Sequence, residues 1–252
     1  MPLSDIKREV TKNIRETEAR VSVLVKEVEL FISSYIGRFM AELEDDDEPD
    51  AIARLGELIQ GMKSAGLDDK LAQIGRLYGE ELKKANEMFQ KYGGGEMLQI
   101  NEDTIRALIQ FKVEQVENIA LTQVGNLRPV IVQQIITGEP FDVQSLVDRV
   151  SSRTLAHIET ELNTAMIAFN RTVAKAQAER LGIEKFLYVG PDDKITRQFC
   201  KDTLNDRNPP VYTSDEIADM DNEQGLDVSQ YGGGYNCRHE WLPVTDEIIG
   251  EL

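Results

Sequence analysis

Between Leu3 and Ile36 the chain contains neither glycine nor proline, and its apolar residues fall three and four apart: Ile6, Val10, Ile14, Val21, Leu24, Val25, Val28, Phe31, Ile32, Tyr35 and Ile36. That spacing gathers them on one face of an α-helix, while Ser4 and Asp5 supply an N-cap and an early acid. Thr17 leaves a polar gap in the stripe. A helix with so long an apolar face must cover it, against its own bundle or against a partner. The signature returns from Phe141 to Leu181, where Leu146, Val150, Ile158, Leu162, Met166, Phe169, Val173 and Ala176 keep helical spacing. Gly182 then stands where a helix C-cap calls for a residue with positive φ. The expected class is mainly α, built of long amphipathic helices.

Between these runs the punctuation predicts shorter helices. The first helix should reach about Leu43 and stop at the acidic run "EDDDEPD", because the residue before Pro49 resists helical geometry. Asp50 is then expected to cap a helix over 51–64 that ends at Gly66, followed by another over 68–92 and a break at the glycine triplet 93–95. Glu102 to Val124 reads as a helix with Ile105, Leu108, Ile109, Val113, Val116, Ile119 and Ala120 on one face, and "RPVIVQQIITGEPF" as a brief one. Beyond Gly182 the texture changes to short strands and turns: "KFLYV" and "YNCRHEWLPV" are strand-like, "TRQFCKDTL" is a short helix, and "SDEIADMD" a capped helical turn. The organisation expected is a helical region over 1–140, a long helix over 141–184, and a small C-terminal α+β module over 185–252.

Charge narrows the function classes. The 252 residues carry 45 Asp and Glu against 28 Lys and Arg, a formal charge of −17. Fourteen of the acids and five of the bases lie within 192–252. Such an excess repels polyphosphate and anionic headgroups, so no tight specific nucleic-acid binding is expected. The apolar stretches fall far short of the roughly 20 residues of a membrane span. No membrane span is expected. A polar N-terminus, "MPLSDIKREVTKN", lacks the apolar core of a secretory signal, which points to synthesis in the cytosol.

Cys200, Cys237 and His239 are the clustered soft ligands of the sequence. If Cys-Arg-His lies on a strand, Cys237 and His239 share one face and Arg238 takes the other. Cys200, on a short helix, would then complete three zinc-type ligands, with Asp193 or Asp202 available as a fourth. A Cys200–Cys237 disulfide and two buried thiols are the competing readings. A Cys-His dyad is chemically conceivable, yet no oxyanion motif or third orienting group accompanies it. His157, inside the second long helix, reads as an ordinary surface or interface residue. There is no Walker loop, dinucleotide fingerprint or His-Glu-x-x-His motif, and neither glycine triplet has the strand-to-helix context of a phosphate loop.

The stretch "RTLAHIETELNTAMIAFNRTVAKAQAERLGIEKFLYVGPDDKITRQFCKDTLN", followed some thirty residues later by "GGGYNCRHEWLPV", resembles the C-terminal region of the Mu F-like minor head proteins, the phage head morphogenesis family. The resemblance covers about 145–245. It rests on Thr160, Glu161 and Asn170 in the helix, Gly182 at its end, Asp193, Thr196 and Arg197 before Cys200, and Asn236, Cys237, Arg238, His239 and Pro243 at the close.

That resemblance implies a structural minor head protein of a tailed phage, not an enzyme. It would be made in the host cytoplasm and carried in the virion. Such proteins associate with the portal protein and other head proteins at the portal vertex, in a small number of copies around it, and in some members leave with the DNA. Two other classes stay open: a zinc-stabilised module with enzymatic or toxin activity, and a capsid-wide assembly protein. Nine residues follow Pro243, so a fused effector is not expected.

Overall fold

A computed structural model describes residues 2–44, 46–92 and 102–252. The glycine triplet 93–95 and the side chains of Ile105, Leu108 and Val150 lie outside the described residues. The chain is mainly α with a small three-stranded antiparallel sheet near the C-terminus. The helices are α1 (Leu3–Glu44), α2 (Glu48–Met62), α3 (Asp68–Tyr92), α4 (Glu102–Gly125), α5 (Arg128–Thr137) and α6 (Val143–Leu181). Then follow β1 (Lys185–Val189), α7 (Gln198–Asn205), β2 (Val211–Thr213), α8 (Ser214–Ala218), α9 (Val228–Tyr231), β3 (Glu240–Pro243) and α10 (Asp246–Gly250).

Two compact units divide the chain, and they do not follow chain order. One gathers residues 1–20, 77–106 and 160–252; the other gathers 21–76 and 107–159. Within the second unit the α1 stripe of Val21, Val25, Val28, Ile32, Ile36 and Leu43 is buried, as are Leu55, Leu58 and Met62 of α2. Arg128 donates to the Gly56 carbonyl at 3.1 Å, which ties the start of α5 to α2, and Lys63 pairs with Glu117.

The start of α2 differs from expectation. Asp47, not Asp50, is its N-cap: the Asp47 carboxylate accepts from the Asp50 amide at 3.0 Å. Pro49 sits in the first turn, where its missing N–H would have had no intrahelical acceptor. The helix therefore begins one turn earlier than the proline alone suggests. At its far end a widened turn, Lys63–Leu67, carries Gly66 at φ 115° and feeds directly into α3.

In the first unit the polar gap at Thr17 is filled. Thr17 Oγ1 donates to Glu81 at 2.6 Å, and Glu81 also takes Lys84 at 2.9 Å, so this buried carboxylate has a full set of partners. Helix α5 ends at Gly138, with φ +65°, and helix α6 ends at Gly182, with φ +69°, both left-handed. The chain then turns into the sheet, ordered β2-β1-β3, with Phe186 opposite Tyr212 and Pro243, and Tyr188 opposite Trp241. Because side chains alternate along a strand, β1 sends Phe186 and Tyr188 into one apolar cluster with Cys200, Tyr212, Cys237 and Trp241. Its other face sends Leu187 and Val189 onto Ile6, Val10 and Ile14 of α1. Both faces of this small sheet are thus covered, which a strand of only five residues needs in order to persist. No helix among the described residues is long and apolar enough to cross a membrane.

Candidate metal centre

Cys200 arrives from α7, a helix whose apolar side packs on the sheet, while Cys237 and His239 arrive from the segment leading into β3. The structure brings all three together. Cys200 Sγ lies 3.8 Å from Cys237 Sγ, and Cys237 Sγ lies 3.9 Å from His239 Nδ1. The three ligand atoms are within 4.8 Å of one another. All are shut away from water, at 2%, 5% and 2% exposure for Cys200, Cys237 and His239.

Two expectations about the cluster need correction. Residues 237–239 precede the strand, which starts only at Glu240. Alternation nevertheless holds, for Arg238 turns away to Asp193. The carboxylates are not ligands either. Asp193 is held by both arms of Arg238, at 2.7 and 2.5 Å, and Asp202 is exposed and accepts from Gln198 at 2.6 Å. The two cysteines are free thiols. His157 is exposed on α6 and takes no part in the cluster.

Sequence reasoning missed the residue at the centre. Arg171 on α6 is buried, and every arm of its guanidinium is used. Nε donates to the His239 carbonyl at 3.0 Å and Nη1 to the Gln230 carbonyl at 2.8 Å. Nη2 reaches the Cys237 carbonyl at 3.3 Å, the Cys237 sulfur at 3.2 Å, and the His239 carbonyl as well. One signal could have found it. Arg171 stands on the same helical line as Thr164 and Ala178, seven residues to either side, and both of those are buried.

The electrostatics follow from this geometry. The two sulfurs share a hydrogen-bonding contact and Arg171 stands beside Cys237 Sγ, so Cys237 is held well below the usual thiol range while Cys200 is pushed up. The Gly233 amide also donates to Cys237 Sγ, at 3.2 Å. Burial pushes the nearby Glu240 carboxyl, 4.0 Å from Arg171, up to about 8.

Three glycines cradle the cluster. A Cβ on Gly232, at φ +53°, would lie 2.9 Å from both Arg171 Nη2 and Cys237 Sγ. One on Gly233 would press into Cys200 Sγ, and one on Gly190 would lie 2.6 Å from the His239 ring. The second glycine triplet therefore admits sulfur and guanidinium, in keeping with its lack of phosphate-loop context.

The donors fit zinc. With Zn–S bonds of about 2.3 Å, two sulfurs on one tetrahedron stand about 3.8 Å apart, which matches the observed separation. His239 Nδ1 faces Cys237 Sγ at 3.9 Å, so two thiols and one imidazole nitrogen converge, a donor set that a zinc ion takes. Amide and guanidinium donors on the sulfur are the outer contacts that tune a metal-bound thiolate. Among the described residues, no other group of three such ligands is assembled.

The Asp193–Arg238 pair closes the lobe from outside, and Thr196 Oγ1 joins it at 3.2 Å. Arg238 holds the Asp193 carboxyl well below the usual carboxylate range. A depressed folded pKa stabilises above the unfolded value of about 3.9, and that contribution declines as pH falls below it. Asp193→Asn should therefore lower stability at neutral pH by about 1–3 kcal/mol, as expected for hydrogen bonds to charged groups. The gap between variant and native melting temperatures should shrink from about pH 5 to about pH 2. A gap that stays constant over that range would show that the pair is not the source.

The fold and this cluster define a class: a mainly helical protein whose small α+β lobe closes around a buried Cys-Cys-His group. No family model, curated protein or solved structure matches the chain.

Proposed function

We propose that this chain is a structural minor head protein of a tailed phage, made in the host cytoplasm and built into the virion at the portal vertex. In this reading several copies contact the portal protein and other head proteins, and the terminal lobe is a fold element pinned by zinc on Cys200, Cys237 and His239.

The observation that carries it is convergence. The residues on which the chain resembles the Mu F-like family are spread from Thr160 to Pro243, yet most of them meet in one lobe. The Asn236 amide donates to Thr164 at 2.9 Å and its side chain to Thr160 at 3.3 Å. Asp193, Thr196 and Arg238 form one network, and Arg197 donates to the Gly233 carbonyl at 2.8 Å. Cys200, Cys237 and His239 are its buried centre, and Pro243 pairs with Phe186 in the sheet. Residues that were similar by chance would have no reason to hydrogen-bond to one another.

Burial supports a structural role over a catalytic one, because Cys200, Cys237 and His239 are all at most 5% exposed. The acidic surface suits a protein beside packed DNA, since like charge keeps it from adhering to a genome that must move past it.

The test is co-purification with the portal protein from infected or co-expressing cells, joined to imaging of intact particles. Density at one vertex is expected. Density over the whole shell would replace the portal reading with a capsid-wide assembly protein, and absence from the particle would favour the enzymatic or toxin class.

A further inference from the structure

We infer that Tyr188 is the fourth donor of the zinc site, completing a tetrahedron with Cys200, Cys237 and His239. The inference rests on the zinc reading of the cluster and adds the ligand which that reading lacks. Structural zinc sites are closed by four protein ligands, and neither sequence-expected carboxylate is free to serve.

Geometry singles out the phenol. Tyr188 comes from β1, opposite Trp241 in the sheet, and its ring lies parallel to the His239 imidazole with centroids 5.1 Å apart. Its hydroxyl stands 3.8 Å from Cys237 Sγ and interacts with Cys200 as well. Seen from Cys237 Sγ, the three other donors therefore lie at 3.8, 3.9 and 3.8 Å: Cys200 Sγ, His239 Nδ1 and Tyr188 Oη. Zinc bonds of about 2.0–2.3 Å give tetrahedral edges of about 3.5–3.8 Å, so all three separations are within a few tenths of an ångström of one vertex's edges.

On binding, the cysteine thiols and the Tyr188 phenol release their protons to solvent as the freed lone pairs go to the metal, and nothing is oxidised or reduced.

The experiment titrates the full chain, reduced and metal-free, with Co²⁺ and then Zn²⁺. One equivalent of Co²⁺ should give tetrahedral d–d bands and thiolate charge transfer, and zinc should raise a phenolate band in the ultraviolet difference spectrum. Tyr188→Phe keeps the ring in place. It should abolish the phenolate band and weaken zinc binding more than about tenfold, at least the effect of losing an outer contact. Tyr188→His, which supplies a replacement donor, should restore tetrahedral cobalt spectra without the phenolate band. Metal uptake with an unchanged spectrum and affinity in Tyr188→Phe would overturn the fourth-ligand assignment and leave zinc standing. No uptake by the native chain would overturn the zinc reading and, with it, this one.

Discussion

Arg171→Met should destabilise the first unit by about 3–5 kcal/mol, the range for removing one partner from a buried charged network. Methionine keeps the stem's bulk, so the loss falls on the guanidinium. Three carbonyls, of Gln230, Cys237 and His239, lose their donor, and the Cys237 sulfur loses its guanidinium contact. At about 2–4 °C per kcal/mol for a chain of this size, the melting transition should fall by roughly 6–20 °C. Arg171→Lys should recover only part of this, because an ammonium cannot serve three carbonyls and a sulfur in the fixed fork of a guanidinium. A loss under about 1 kcal/mol in the methionine variant would mean that the lobe is held chiefly by its apolar cluster.

Gly190→Ala is the second large effect, expected at about 1–3 kcal/mol from overpacking. The new Cβ would lie 2.6 Å from His239 Cδ2 and 2.8 Å from the Arg238 carbonyl. Neither neighbour can swing aside, since the carbonyl is backbone and the imidazole is stacked on Tyr188. His239 must therefore leave its place beside Cys237, and zinc uptake should weaken along with stability. Gly250→Ala, with open space around its Cβ, is the control and should leave both unchanged. Stability and uptake untouched in Gly190→Ala would contradict the cradle.

Much of the helical architecture was legible because periodicity and capping are local properties. The reading of 68–92 as a helix matches α3 at both ends, and Gly138 and Gly182 are left-handed residues at the ends of α5 and α6. The α2 cap was misassigned for an equally local reason. Two aspartates flank Pro49, and the choice between them depends on whether the proline ends one helix or opens the next.

The site was legible in part. Scarcity alone brought forward Cys200, Cys237 and His239, the chain's two cysteines and one of its two histidines. Arg171 and Tyr188 had no such mark. An arginine on a helix is usually solvated, and a tyrosine in an apolar strand usually serves as core. What changes their roles is the return of residues 230–239 across α6 and β1, a long-range event with no local trace.

The chain's own order of residues determined where helices run, where they stop, and that a short mixed lobe follows the last long one, because those outcomes depend on neighbours a few positions away. Tertiary structure alone decided which sulfur stands beside Arg171 and which donor atoms gather within 4.8 Å of one another. Those outcomes depend on distances across more than sixty residues of chain, such as Arg171 to Cys237, and on exclusion of water, which only the assembled lobe provides.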